Sequence, residues 1–191
     1  MEAAPLSAIV LAAGKSSRMG KLKQLMPLGK STILEQTLAN LLGSKATDIV
    51  VVLGHRAEEV MRKLSGQPVK LVVNPLYRQG MGTSIAAGLK FVDRQSPAVM
   101  LVLGDQPYVD SATINRLIDA FQKNDKGIAI PTYKGKRGHP LIFARKYQPQ
   151  LARLKGDTGG RQIVKANPDD ILEVPVRCEG IVIDIDTPLS P

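Results

Sequence analysis

The stretch that decides the fold is residues 8–23, AIVLAAGKSSRMGKLK. Ala8 to Ala12 form a short apolar run of strand length, and after Gly14 lysines, serines and an arginine take over. An unbroken apolar run of this kind is what a strand buried on both faces of a parallel sheet requires. Four more runs follow: Asp48 to Leu53, Val69 to Val73, Ala98 to Leu103 and Ile128 to Ile130. Segments of helical period lie between them. Thr32 with Glu35 three residues on has the form of a capping box, and Leu34, Leu38, Leu41 and Leu42 make one apolar helix face closed by Gly43. Asp110 or Ser111 opens a second helix with Ile114, Leu117, Ile118 and Phe121 inward, and shorter helices are expected over Arg56 to Leu64 and Ser84 to Phe91. The alternation predicts the α/β class, a three-layer, mostly parallel twisted sheet with right-handed crossovers. Beyond Pro131 glycines and prolines interrupt the pattern, although Pro140 to Phe143, Leu172 to Val176 and Gly180 to Ile185 can still be strands, one of them antiparallel. No internal repeat or low-complexity linker divides the chain, so one domain over 1–191 is expected.

A chain of 191 residues can bury roughly 70% of its unfolded surface without staples. With 43% apolar and 23% charged residues it is neither disordered nor collagen-like, and its one cysteine, Cys178, cannot form an internal disulfide. There is no apolar tract of membrane-spanning length, and Met1 to Ala13 has no basic residues ahead of its apolar run. A reduced, cytoplasmic protein with neither membrane span nor secretory signal is expected. The net charge of +9 is concentrated. Lys15 to Lys30 holds five basic residues and no acid, Thr132 to Lys165 holds nine against Asp157 alone, and Ala166 to Pro191 reverses to six acids against Arg177. Such patches most often mean a solvated face, next an anionic small substrate, and least often nucleic acid. Nucleic acid is disfavoured further because the chain has only four tyrosines, three phenylalanines and no tryptophan to stack on bases.

In an open α/β sheet, ligands bind outside the carboxyl ends of the strands. The loop after Ala12, with small residues, free backbone N–H groups and several cations, can wrap a polyphosphate, though it reads equally as a surface turn with lysines. Two better-known phosphate patterns fail. Gly29-Lys30-Ser31 ends like a Walker loop, but Gln24 stands where its first glycine belongs, and Gly14-Lys15-Ser16 fails likewise at Ile9. Gly80-Met81-Gly82 lacks the third glycine of a dinucleotide fingerprint, since that position is Ile85. Asp105, in Leu103-Gly104-Asp105-Gln106-Pro107, stands just past a buried strand, where a carboxylate can hold a hard cation such as Mg²⁺ or simply form a turn. Asp184 and Asp186, one residue apart, share a face of an extended segment, which suits either a metal or an exposed strand end.

The run Leu-Ala-Ala-Gly-x-Ser-x-Arg-Met-Gly-x-x-Lys, Leu11 to Lys23, resembles the signature of the nucleotidyltransferases related to the molybdenum cofactor guanylyl- and cytidylyltransferases. The resemblance continues through Asn74 to Ser84, Gly104 to Pro107, Arg137-Gly138-His139-Pro140, Gly156-Asp157-Thr158-Gly159-Gly160-Arg161 and Asp184 to Pro188, nearly the full chain. It implies a Rossmann-like nucleotidyltransferase fold, with Leu11, Ala12, Ala13 and Gly14 against the nucleotide. It also implies that Arg18 and Lys23 hold the triphosphate and that Asp105 binds Mg²⁺, with Asp184 and Asp186 as further metal ligands. Asn74, Gly80, Gly82, Thr83 and Ser84 belong on this reading to the base pocket, and Arg137, His139 and Asp184 to the pterin side. Ala13 and Thr83-Ser84 place the chain with the cytidine branch, so the implied partners are CTP and molybdopterin, and downstream a molybdenum hydroxylase of xanthine dehydrogenase type. The family pattern continues Thr-Pro-Glu-Asp where this chain reads Thr187-Pro188-Leu189-Ser190-Pro191.

The chemistry agrees with the residue inventory. A phosphate acceptor is already ionised near neutral pH, with a second pKa of about 6, so no protein base is required. The chain has only His55 and His139, no Gly-x-Ser-x-Gly elbow, and a cysteine without a nucleophile's setting. Asp105, Arg18 and Lys23 are then the expected catalytic set. Transfer to another phosphorylated acceptor, guanylyl transfer, or a non-catalytic cofactor carrier are the alternative readings.

Overall fold

A computed structural model describes residues 5–14, 22–183 and 185. Along the chain run β1 (Ser7–Ala12), the hairpin β2 (Pro27–Leu28) and β3 (Ser31–Thr32), α1 (Ile33–Leu42), β4 (Asp48–Leu53), α2 (Ala57–Lys63) and β5 (Lys70–Val73). There follow α3 (Met81–Leu89), β6 (Ala98–Leu103), α4 (Ser111–Gln122), β7 (Ile128–Tyr133), β8 (Lys136–Arg137), β9 (Leu141–Ala144), α5 (Gln148–Leu151), α6 (Arg161–Ala166) and β10 (Ile171–Pro175). The main sheet has the order β10-β7-β9-β6-β1-β4-β5, with β8 paired to β7. β1 is parallel to both β4 and β6, and β4 to β5, while β9 runs antiparallel between β6 and β7. Of the strands expected beyond Pro131, the one that follows Pro140 is therefore antiparallel.

β1 sits at the switch point, because the chain moves from it outward to β4 and β5, then returns to β6 on its other side. A crevice opens there between the carboxyl ends of β1 and β6. Side chains of β1 alternate between two cores, as a period of two dictates. Ala8, Val10 and Ala12 join Leu34, Leu38, Leu41, Ile114, Leu117 and Ile118 on the α1 and α4 face. Ile9 meets Ile85, Leu151, Ile163 and Val164 on the face of α3, α5 and α6. The capping box is present in full: Thr32 Oγ1 accepts the Glu35 N–H and the Glu35 carboxylate accepts the Thr32 N–H. Asp110 caps α4 through the Thr113 N–H.

Two departures from the sequence expectation bear on the site. α3 begins at Met81, three residues ahead of the expected Ser84. Gly180 to Ile185 is not a strand, since Glu179–Val182 form a 3-10 turn. Its backbone is claimed by loops: Ile181 O accepts the His139 N–H, and Gly180 lies so close to Tyr108 that a Cβ would come within 2.4 Å of the Tyr108 carbonyl oxygen.

Asp170 fastens β10 to its neighbours. Its carboxylate accepts from Gly127 N–H at 2.9 Å and from Tyr147 Oη, and pairs with Lys146 Nζ at 2.7 Å. The bonds from Lys146 and Tyr147 hold the Asp170 carboxyl down at about 2, while burial and then the bond to Asp170 push the Tyr147 hydroxyl up to about 12. A carboxyl depressed in the folded state stabilises above its ordinary value and loses that contribution as pH falls through its folded value. Asp170→Asn is expected to lower Tm at pH 7 by roughly 3–12 °C, from charge-assisted bonds of about 1.5–3 kcal/mol at 2–4 °C per kcal/mol. Thermal melts should show the gap to wild type narrowing as pH falls from about 4 toward 2.

Candidate active site

The carboxyl ends of β1 and β6 open into a cavity of about 770 Å³. Its sheet side is lined by Leu11, Ala13, Gly14, Leu103, Gly104 and Asp105, and its far side by Tyr77, Arg78, Gly80, Met81 and Ser84. His139 and the segment containing Asp157, Gly159, Gly160 and Arg161 complete the described wall, together with Lys23 and Gln24.

The sheet side is built by close approach. Gly104 donates its N–H to Leu11 O at 3.1 Å, and a Cβ there would stand 3.2 Å from Ala12 Cβ and 3.3 Å from Leu34 Cδ1, so only a residue as small as glycine lets β6 turn into the crevice without displacement. The next residue, Asp105, projects its carboxylate toward Lys23, whose Nζ lies 2.8 Å from Oδ2; the two side chains are 31% and 13% exposed. Lys23 comes from the 3-10 turn Lys23–Leu25, and the neighbouring Gln24 is buried, its Nε2 donating to Ala12 O at 3.0 Å and Gly14 O at 3.2 Å. One amide thus clamps the end of β1 and the start of the basic loop.

The far side is built around Asn74. Its Nδ2 donates to Thr83 Oγ1 at 2.9 Å and to Ser84 Oγ at 3.0 Å, and its Oδ1 accepts the Leu76 N–H at 3.0 Å, which fixes the amide's orientation. Thr83 directs its own proton back toward Gly80 O and Leu76 O. Ser84, an acceptor from Asn74, keeps a proton to donate into the cavity. The N-terminus of α3 is capped by residues distant in sequence: Asp157 Oδ1 accepts the Met81 N–H at 3.1 Å and Gly156 O accepts the Gly82 N–H at 2.9 Å. Gly80, at φ +105°, and Gly82 permit that contact, since a Cβ would come within 2.3 Å of Gly156 C and 2.6 Å of Leu154 C.

Of the residues singled out from the sequence, Leu11, Ala13, Gly14, Lys23, Gly80, Ser84, Asp105 and His139 line this one cavity. Ala12, Asn74, Gly82 and Thr83 stand behind the wall as support. Arg137 is not brought in: it sits on β8, exposed, with its guanidinium on Glu173 at 2.6 Å. Arg18, Asp184 and Asp186 lie outside the described residues. Met81 lies within the Gly80 to Ser84 stretch that the resemblance gives to the base pocket, Tyr77 and Arg78 lie in the same motif without an expected role, and Gln24 is a lining residue that the sequence does not indicate. Asp157 and Arg161 stood in a quoted motif but had been given no role, and only the tertiary contact with α3 reveals Asp157's.

As a metal site, Asp105 offers a hard carboxylate oxygen at a strand end. Among the described residues no cluster of three or more Asp, Glu, His or Cys accompanies it. The donor set suits an oxygen-seeking cation that keeps most of its positions for phosphate oxygens and water, as Mg²⁺ does.

Residues 8–171 match the model of the MobA-like NTP transferase domain family. The molybdenum cofactor cytidylyltransferase of Escherichia coli K12 is 30% identical over 184 residues, covering 96% of this chain and 92% of that protein. The nicotine blue oxidoreductase of Paenarthrobacter nicotinovorans is 27% identical, covering 95% and 92%. Among solved structures, Rv0371c of Mycobacterium tuberculosis H37Rv superposes with a TM-score of 0.86 at 31% identity, covering 97% of this chain and 94% of that one. Its complex with manganese gives 0.79 at 30% identity, covering 91% and 89%.

Gly80→Ala combines a strained φ with a backbone clash and is expected to cost about 3–5 kcal/mol. Gly135→Ala, at φ +76° with open space around it, should cost about 1 kcal/mol. Thermal melts of both variants check the difference, which should be roughly 5–15 °C.

Proposed function

Because the chain belongs to the MobA-like NTP transferase domain family, we propose that it is a cytidylyltransferase moving CMP from CTP onto the phosphate of molybdopterin, with release of pyrophosphate. The observation that carries this reading is the meeting of Lys23 and Asp105, 2.8 Å apart, in a cavity whose opposite wall is Gly80, Met81 and Ser84. One side holds the cation and carboxylate suited to phosphates and a metal; the other offers the start of α3, with Arg78 beside it, as room for a base.

The acceptor phosphate attacks the α-phosphorus of CTP. A P–O bond forms there, the bond to the oxygen bridging to the β-phosphate breaks, and its electron pair leaves with pyrophosphate. No proton has to move, since the attacking oxygen is already ionised. The protein's task is to bring two polyanions together and to neutralise charge as it shifts to the leaving group. Lys23 supplies a fixed cation at the sheet side, and Arg18 is assigned the same duty from the loop. A divalent cation such as Mg²⁺, held by Asp105 with phosphate oxygens and water and with Asp184 and Asp186 assigned as further ligands, would add charge neutralisation at the phosphates; the manganese complex of Rv0371c supports a metal here. His139 is assigned to acceptor contact. The product's consumer is proposed to be a molybdenum hydroxylase of xanthine dehydrogenase type.

Cytosine is favoured over guanine on two grounds. The Ala13 methyl narrows the space on the sheet side, and Ser84 offers a donor suited to the acceptor atoms O2 and N3 of cytosine.

Pyrophosphate release measured with each of four nucleoside triphosphates, with and without molybdopterin, tests the reading. CTP should exceed GTP by roughly tenfold or more in kcat/KM. Preference for GTP would move the chain to guanylyl transfer, and release with a different phosphorylated acceptor would replace molybdopterin. Asp105→Ala should abolish turnover with Tm within a few degrees of wild type, and Lys23→Ala should slow transfer by about 1–4 kcal/mol. Substantial turnover in folded Asp105→Ala protein would withdraw its role as metal ligand.

A further inference from the structure

Tyr77 provides the one Phe, Tyr or Trp ring among the described residues that line the cavity. It is placed with more care than a surface aromatic needs. A Cβ at residue 54 would lie 2.6 Å from both Tyr77 Cβ and Cγ, so Gly54, the first residue past β4, lets the base of the ring settle directly on the backbone. The same Cβ would stand 2.8 Å from Ala13 O, and His55 donates its backbone N–H to Ala13 O at 3.3 Å, which puts Tyr77 beside the end of β1. At the other end of the ring, Tyr77 Oη accepts from Arg78 Nε at 3.3 Å and lies 3.5 Å from His55 Nδ1. The Arg78 guanidinium carbon stands 5.7 Å from the ring centroid. Behind it, Asn74 holds Leu76 and Thr83, the residues on either side of the turn Tyr77–Gln79.

The ring is therefore fixed at its base, at its hydroxyl and through the turn that carries it. A rigid aromatic ring on the wall of a cavity suits a planar heteroaromatic ligand, since stacking orders few side-chain bonds and needs no matched donors. We propose that Tyr77 is the wall against which the nucleobase stacks. This rests on the reading of the cavity as a nucleotide site, and it adds a division of labour within it. The ring supplies base affinity that is indifferent to which base is bound, while Ala13 and Ser84 supply the choice.

The test uses the full chain with Mg²⁺ and equilibrium dialysis of two probes, CTP and inorganic tripolyphosphate, against wild type, Tyr77→Phe and Tyr77→Leu. Stacking on an aromatic side chain contributes about 1–3 kcal/mol per base, so Tyr77→Leu should weaken CTP by roughly 5- to 150-fold. It should leave tripolyphosphate within about twofold, and Tyr77→Phe should stay close to wild type for both. UTP and GTP should weaken in Tyr77→Leu by the same factor as CTP. Three results would overturn the proposal: equal loss of tripolyphosphate in Tyr77→Leu, which would make the residue a prop for the site; equal loss of CTP in Tyr77→Phe, which would make the hydroxyl the active part; or unchanged CTP binding in Tyr77→Leu. Wild type that binds CTP no better than tripolyphosphate would remove the nucleotide reading itself and this inference with it.

Discussion

The cavity depends on a contact in which one backbone lies directly on another. Leu154 to Asp157 pack on Gly80 to Gly82 with no room for a Cβ, and they satisfy the first N–H groups of α3 while doing so. Helix starts normally find their acceptors within a few residues; this one takes its acceptors from a segment more than seventy residues away. The consequence is structural economy. Closing the contact caps α3, sets the position of Ser84, and brings Gly159, Gly160 and Arg161 to the cavity wall. A side chain at Gly80 or Gly82 would push the two halves of the site apart before it disturbed either alone.

Much of this architecture was legible in the chain because the forces that make it are local. β4 and β6 carry the bounds read from their apolar runs, and the capping box at Thr32 and the cap at Asp110 stand where side-chain spacing put them. The failures share one cause. α3 starts early because its cap is tertiary, and the segment after Gly180 is drawn to the loops, where Ile181 O accepts from the His139 N–H and from Gln106 Nε2. A period of two cannot report where a backbone will find its partners. The same holds at the site: Lys23 and Asp105 are visible as charged residues at loop positions, while Gln24 carries no signal and Tyr77 only that of its motif, their placement depending on carbonyls of Ala12 and Gly14 and on the bare Cα of Gly54.

The charges of the cavity are arranged by side. Lys23 is held against Asp105 on the sheet side, whereas Arg78 and Arg161 line the far side with no ion pair to a carboxylate among the described residues. An ion pair in a partly enclosed site keeps a cation and an anion in place without leaving a large net charge to be desolvated. On the proposed reading, a cation at Asp105 would turn Lys23 toward an anionic ligand, and an anion at Lys23 would turn Asp105 toward a cation. Metal and phosphate would then be favoured together over either one alone, which is the form in which a nucleoside triphosphate would reach such a site.

Relatives of near-equal length carry names from different reaction classes, a transferase and an oxidoreductase among them, so the sheet itself cannot decide the chemistry. The deciding groups sit past the strand ends, where substitutions leave the cores untouched. A hydride or electron transfer would require a redox cofactor held against its substrate, and that task makes no demand for a lysine and a carboxylate facing each other at a strand end. Phosphoryl chemistry does make that demand, since nearly all of its catalysis is positioning and charge neutralisation. Lys23, Asp105 and the tight turn at Gly104 therefore carry more of the functional argument than the sheet that brings them together.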